Sequence, residues 1–124
     1  MFRQLRFLLY ILLSFHSYSL YANSYGVNKI SVETNIAPSP PVINSLTTND
    51  TTPVISGTAD PGVTVNVSIV GVANYTITAG NDGAWQTPSA TTLAEGTYTI
   101  NATATNSSNE NSSQATAALV IDTT

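Results

Sequence analysis

Little in this chain of 124 residues can do chemistry, and most of what can is carboxylate. The acids are Glu33, Asp50, Asp60, Asp82, Glu95, Glu110 and Asp122. Hard oxygen donors of this kind suit Ca²⁺, which takes about 6–8 oxygens. The only other ionic side chains are Arg3, Arg6 and Lys29, and the only histidine is His16. There is no cysteine, so thiolate metal sites, cysteine nucleophiles and lipid attachment at sulfur are all absent. A serine triad needs a histidine base, and His16 lies in a stretch that reads as removable. Serine–lysine chemistry would rest on Lys29, outside the predicted domain. Two carboxylates about 5–10 Å apart could cleave a glycoside. Nothing apolar in the sequence suggests a pocket that would raise one of their pKa values. The residues therefore predict no enzyme and no catalytic side chain.

The N-terminal stretch reads as an address. Arg3 and Arg6 precede an uncharged apolar run, Phe7 to Phe15, and Leu20-Tyr21-Ala22 offers a small residue for cleavage. The run is too short for a bilayer span, which needs about 20 residues. Residues 1–22 are thus expected to be a secretory signal peptide. The location that follows is the periplasm, the cell surface or the medium, with no membrane insertion once the signal is removed. Removal leaves one base, Lys29, against seven acids, a formal charge of −6 where the whole chain has −4. That balance excludes nucleic acid, which is held by Lys and Arg on phosphates, and anionic membrane surfaces, which need basic clusters.

Residues 23–40 are polar and irregular and end in Ala37-Pro38-Ser39-Pro40-Pro41. Proline at that density favours an extended, semi-rigid spacer over helix. The domain is expected over 41–122. Strand signals recur through it, separated by turn residues. Val42 to Leu46 reads as a first strand and Val54 to Thr58 as a second, with Asn49-Asp50-Thr51-Thr52-Pro53 turning between them. Asp60-Pro61-Gly62 is a strong turn, since proline presets φ and glycine accepts a positive one. Thr64 to Val70 alternates, with Val65, Val67 and Ile69 on one face. Ala73 to Ala79 follows, then Gly80-Asn81-Asp82-Gly83 as a hairpin turn and Ala84 to Thr87, which carries Trp85. Thr97 to Thr105 puts Tyr98, Ile100, Ala102 and Ala104 on one face. Asn106 to Asn111 is a polar loop. The last strand places Ala115, Ala117, Leu119 and Ile121 inward.

Leu93-Ala-Glu-Gly-Thr-Tyr-Thr-Ile-Asn-Ala102 reads L-x-x-G-x-Y-x-x-x-A, the pattern of a tyrosine corner. Gly96 serves the turn, Leu93 and Tyr98 pack inward, and the Tyr98 hydroxyl bonds back to the backbone upstream. Seven short strands without an amphipathic helix predict an all-β, seven-stranded immunoglobulin-like sandwich with Greek-key connections. Its bulky core members are expected to be Trp85, Tyr98, Leu93 and Ile100 among many Ala and Val. Tyr75 could face solvent or pack on Trp85. Asn49, Asn66, Asn74, Asn101, Asn106 and Asn111 each head an N-x-S/T triplet, as the Asn/Ser/Thr-rich composition makes inevitable.

The ends of the domain echo one another. Val32-Glu33-Thr34 aligns with Ile121-Asp122-Thr123, one domain length apart. The chain begins its domain after one such junction and stops inside another, so 123–124 read as a truncated inter-repeat junction, the mark of one unit from a tandem array. Pro53-Val-Ile-Ser-Gly-Thr-Ala-Asp-Pro-Gly-Val-Thr-Val65, Asn81-Asp-Gly-Ala-Trp85, the tyrosine corner and the closing Val-Ile-Asp-Thr-Thr together resemble the bacterial Ig-like repeats of large surface adhesins and biofilm-associated proteins.

That resemblance covers about residues 40–124. It implies a non-catalytic stalk, spacer or cell-adhesion module, with neighbouring Ig-like repeats and an unidentified host-surface or matrix ligand as partners. One copy follows the signal directly, so the chain is either a truncated piece of an adhesin or a small stand-alone relative. The alternative function is a stand-alone secreted binding domain for polysaccharide or a protein partner. Successive loops of a sandwich alternate between its two poles. Asp60, Asp82 and Glu110 should then share one pole, and Asp50, Glu95 and Asp122 the other. The resemblance implies calcium at inter-domain joints, with Asp122 the first candidate ligand and Asp60 and Asp82 next.

Overall fold

A computed structural model describes residues 17–21 and 31–124. The rest of the expected signal peptide and linker, including the apolar run and Lys29, lies outside the described residues. Two compact units are present, divided at Ile36 and Ala37. The first contains an antiparallel ribbon of β1 (Ser17–Tyr21) and β2 (Ser31–Asn35), with Ser17 opposite Asn35.

The second unit is a two-sheet sandwich. The smaller sheet orders β3 (Val42–Ile43), β5 (Ser56–Thr58) and β8 (Ala84–Gln86), all antiparallel. The larger orders β4 (Leu46–Thr48), β10 (Ala115–Ile121), β9 (Gly96–Thr105), β6 (Thr64–Ile69) and β7 (Ala73–Thr78). Its β4–β10 pair is parallel and the others are antiparallel. Period-two alternation builds the interior. Val65, Val67 and Ile69 of β6, Ile100, Ala102 and Ala104 of β9, and Leu119 and Ile121 of β10 are all buried. From the smaller sheet Ile55 and Trp85 join them. Trp85 pairs across the ladder with Gly57, and the indole occupies the space a side chain there would need.

Three features differ from the sequence-based expectation. The first strand is split. Val42–Ile43 pairs with β5, and the chain then changes sheets so that Leu46–Thr48 runs beside β10. Local alternation over Val42 to Leu46 could not reveal this, because the switch is imposed by two different partners. Gly80-Asn81-Asp82-Gly83 does form a tight turn, with Gly80 N donating to Ala84 O at 2.8 Å and Gly83 N to Gly80 O at 2.9 Å. It does not close a hairpin, since β7 and β8 lie in different sheets. Trp85 has to meet Gly57, and only the smaller sheet provides it. Finally, of the four bulky core members expected, Trp85, Leu93 and Ile100 are buried and Tyr98 is not, so aliphatic side chains fill more of the interior. The largest fully buried side chains are Ile55, Ile69, Ile100, Leu119, Ile121, Val65 and Val67. Tyr98 is half-buried at the rim, packed against the cluster, as is Tyr75.

Candidate functional site

Loop chemistry decides where the polar groups collect. Seven passes of chain bring the two ends of the sandwich to opposite poles. At the leading pole the Asp60 and Asp82 turns are neighbours, joined by Ala59 N donating to Gly83 O at 2.9 Å. Pro61 opens the first turn and Gly62 follows at φ 75°, a left-handed value that glycine adopts without strain. Asp60 Oδ2 accepts from Ser39 N at 2.8 Å and so ties the incoming chain to this pole. Asp82 Oδ1 accepts from Ala84 N at 3.0 Å, ordinary turn capping. Glu110 closes the β9–β10 loop, its N–H held by Asn106 Oδ1 at 3.0 Å.

At the trailing pole Asp122 N donates to Thr48 O at 2.9 Å, and Thr123 Oγ1 donates to Glu95 Oε2 at 2.6 Å. Asp122 Oδ1 accepts from Thr124 Oγ1 at 2.7 Å and Thr124 N at 3.2 Å. The Thr124 hydroxyl first, and its backbone N–H second, hold the Asp122 carboxyl below the ordinary 3.8. Asp50 repeats this motif in Asp50-Thr51-Thr52, with Oδ1 accepting from Thr52 N at 2.8 Å and Thr52 Oγ1 at 3.0 Å. Of the candidate calcium ligands, Asp60 and Asp82 are thus on adjacent turns and Asp122 is at the other pole. Among the described residues no group of three or more carboxylates or histidines comes together in one place.

The tyrosine corner lies beside the trailing pole. Tyr98 Oη donates to Ala94 O at 3.0 Å, Leu93 is buried, and Leu93 N donates to Thr51 O at 2.7 Å. This knots the loop before β9 to the loop before β5. Gly96 opens β9 at φ 150°.

Two hydroxyls matter that the sequence reading did not single out. Thr87 Oγ1 accepts from Ile55 N at 3.0 Å, while Thr87 N donates to Ile55 O at 2.8 Å. Ser112 Oγ accepts from Ala104 N at 2.9 Å, while Ser112 N donates to Ala104 O at 2.8 Å. Both are buried, and each continues a ladder where the backbone has turned away. In a chain this rich in Ser and Thr, only tertiary position separates these two from the rest. Trp85 Nε1 is buried without a partner, unlike any other buried side-chain polar atom among the described residues.

Two shallow depressions stand out on the sandwich. A saddle of about 270 Å³ on the outer face of the larger sheet is lined by Asn66, Ser68, Asn74, Thr76, Asn101 and Thr103. A groove of about 600 Å³ at the open side between the sheets is lined by Ile77, Thr78, Ala84, Trp85 and Gln86. Neither is lined by a carboxylate, a histidine or an amine.

Residues 43–123 match the family model of the bacterial Ig-like domain. The chain belongs to this family. That span begins inside β3 and ends just after β10, so the match and the sandwich have the same limits. Such domains are typical of surface proteins and are generally non-catalytic. Among solved structures the chain is similar to the fibronectin type-III domain of human fibronectin type III domain containing protein 3. The likeness covers 69% of this chain and 86% of that one, at 16% identity and a TM-score of 0.37. No curated protein matches this bacterial Ig-like chain.

Proposed function

We propose that this chain is a non-catalytic Ig-like module of an exported bacterial surface protein, serving as a spacer or adhesion unit. The observation that carries this reading is the polarity of the sandwich. The chain is fastened at the leading pole through Ser39 and Asp60 and leaves the trailing pole through Asp122 and Thr123. Units built this way join head to tail without folding back on one another. The longest strand, β9, has ten residues, and at about 3.3 Å per residue each unit would extend a stalk by at least about 33 Å. The acid-bearing junction at Asp122 would then face a neighbouring repeat.

Small-angle scattering on a two-unit fusion, with residues 37–124 repeated in tandem, tests the spacer role. An end-to-end increase of about 33–40 Å over the single unit supports it, and a side-by-side compact pair would refute it. Export is tested separately by sequencing the N-terminus of the secreted product. A start at Asn23 supports the signal peptide, and retention of the intact chain in the cytoplasm counts against export. A second reading, a binding domain for neutral polysaccharide, is favoured by the uncharged amides and hydroxyls of the saddle on the larger sheet. Retention on an insoluble glucan, lost on Asn101→Ala, would separate it from a passive spacer.

A further inference from the structure

The sheet edges of this sandwich are protected to different degrees. β3 has two residues, and β4 and β8 have three each. In β8, Ala84 already uses its N–H on Asp82 Oδ1 and its carbonyl on Gly80 N. β7 is six residues long, Ala73–Thr78, and contains no proline, no glycine and no charge. Natural sheet proteins blunt their edges with short strands, charges, prolines or bulges. β7 has none of these.

The ladder fixes which groups β7 leaves open. Ala79 N donates to Val63 O at 2.9 Å and Ala79 O accepts from Gly62 N at 3.2 Å, so Ala79 turns both backbone groups toward the β6 side. Bonded and non-bonded pairs alternate along an antiparallel ladder. The bonded pairs are then Val65–Ile77, Val67–Tyr75 and Ile69–Ala73. Asn74, Thr76 and Thr78 therefore turn their N–H and C=O groups away from β6, toward the open edge. Their side chains are exposed on the outer face, while Tyr75 and Ile77 are only half-buried on the inner one.

We propose that β7 is a strand-addition site for a second copy of this chain, an interaction beyond the end-to-end spacing proposed above. The edge is complementary to itself. With a two-fold axis at Thr76, Thr76 faces the partner's Thr76 and Asn74 faces the partner's Thr78. All three outward residues become bonded pairs, giving about six backbone hydrogen bonds. The new side-chain neighbours repeat chemistry already present in the sheet. Asn74 meets the partner's Thr78, as Asn66 accepts from Thr76 at 3.0 Å and Asn101 from Thr116 at 3.0 Å. On the inner face Tyr75 falls opposite the partner's Ile77 in the closer, non-bonded spacing, an aromatic and β-branched pair. The groove beside Ile77 and Trp85 leaves room for that contact. Two five-stranded sheets become one of ten strands. An interface one strand wide falls below the roughly 1,200–2,000 Å² of stable complexes, so a single unit pairs weakly and gains strength where units are arrayed.

The test is sedimentation equilibrium of the full chain up to about 1 mM, combined with amide hydrogen exchange. The expected result is concentration-dependent dimerisation in which the amides of Asn74, Thr76 and Thr78 gain protection. Thr76→Lys places two ammonium groups face to face at the axis. Thr76→Pro removes an outward N–H and leaves the β6 ladder intact. Each should weaken dimerisation about tenfold or more, while Thr103→Lys, on β9 of the same outer face, leaves it unchanged. A chain that stays monomeric throughout overturns the proposal. So does association that Thr76→Lys leaves undiminished, or association that leaves those three amides unprotected.

Discussion

Gly57 is the position where one methyl group should matter most. It sits in the middle strand of the smaller sheet, between β3 and β8. A Cβ there would be built into the Val42 carbonyl oxygen on one side and the Trp85 ring on the other, with Trp85 Cε2 at 2.8 Å. Neither neighbour yields cheaply. The first is backbone, and the second is a ring that is 3% exposed. Overpacking of this kind costs about 1–3 kcal/mol. If β3 peels away to relieve it, the Asn44 N to Ser56 O bond of 2.9 Å and the Val42 and Ile43 pairings go too, at about 1 kcal/mol each. The expected loss for Gly57→Ala is therefore about 3–5 kcal/mol, out of about 4–13 for a unit of this size. Urea unfolding read by circular dichroism and by Trp85, the single tryptophan, measures it. Gly71→Ala is the control. Its Cβ meets nothing, and at φ 77° it should cost only the left-handed backbone, about 1–2 kcal/mol. In the double variant Gly57→Ala/Trp85→Leu the two losses should sum to less than their separate values, because the ring contact can be lost only once. A Gly57→Ala variant no less stable than Gly71→Ala would refute the packing argument.

Tyr98→Phe removes the bond to Ala94 O while keeping the ring, and should cost about 1 kcal/mol, seen as a fall of several degrees in Tm. Thr87→Val leaves Ile55 N buried without a partner and should cost about 1–3 kcal/mol, more than Thr116→Val on the exposed face. The Asp122 carboxyl should titrate below 3.8 by NMR and return toward that value in Thr124→Val. Because its folded pKa is depressed, the stability it lends is complete above the ordinary value and is lost as pH falls through the folded one. Loss of that stability as pH rises instead would contradict the assignment.

The strands read most fully from the chain are those with a long, regular alternation. β6, β9 and β10 each run six residues or more with one wet face. Period-two hydrophobicity is written in consecutive residues, so it survives without knowledge of partners. The same holds for Asp60-Pro61-Gly62 and for the corner that joins Tyr98 to Ala94, both closed within a few residues. β3, β5 and β8 are two or three residues long, and their ends are set by whichever strand lies beside them. Hence Val42 to Leu46 reads as one strand although it serves two sheets. The acids could be placed on loops from sequence, and alternation of loops assigns them to poles. Whether two loops at one pole bring their carboxylates together depends on side-chain direction and on capping bonds such as Ser39 N to Asp60.

Fold class, the poverty in reactive groups and the hydrophobic-acid-Thr junctions are legible in the unfolded chain, since each is a property of composition or of short neighbouring runs. Folding adds that Gly57 must lack a side chain, that Thr87 and Ser112 complete the ladders, and that β7 lies open at an edge. Those depend on which strands become neighbours across dozens of residues, and no local pattern encodes a neighbour that the chain reaches only by folding.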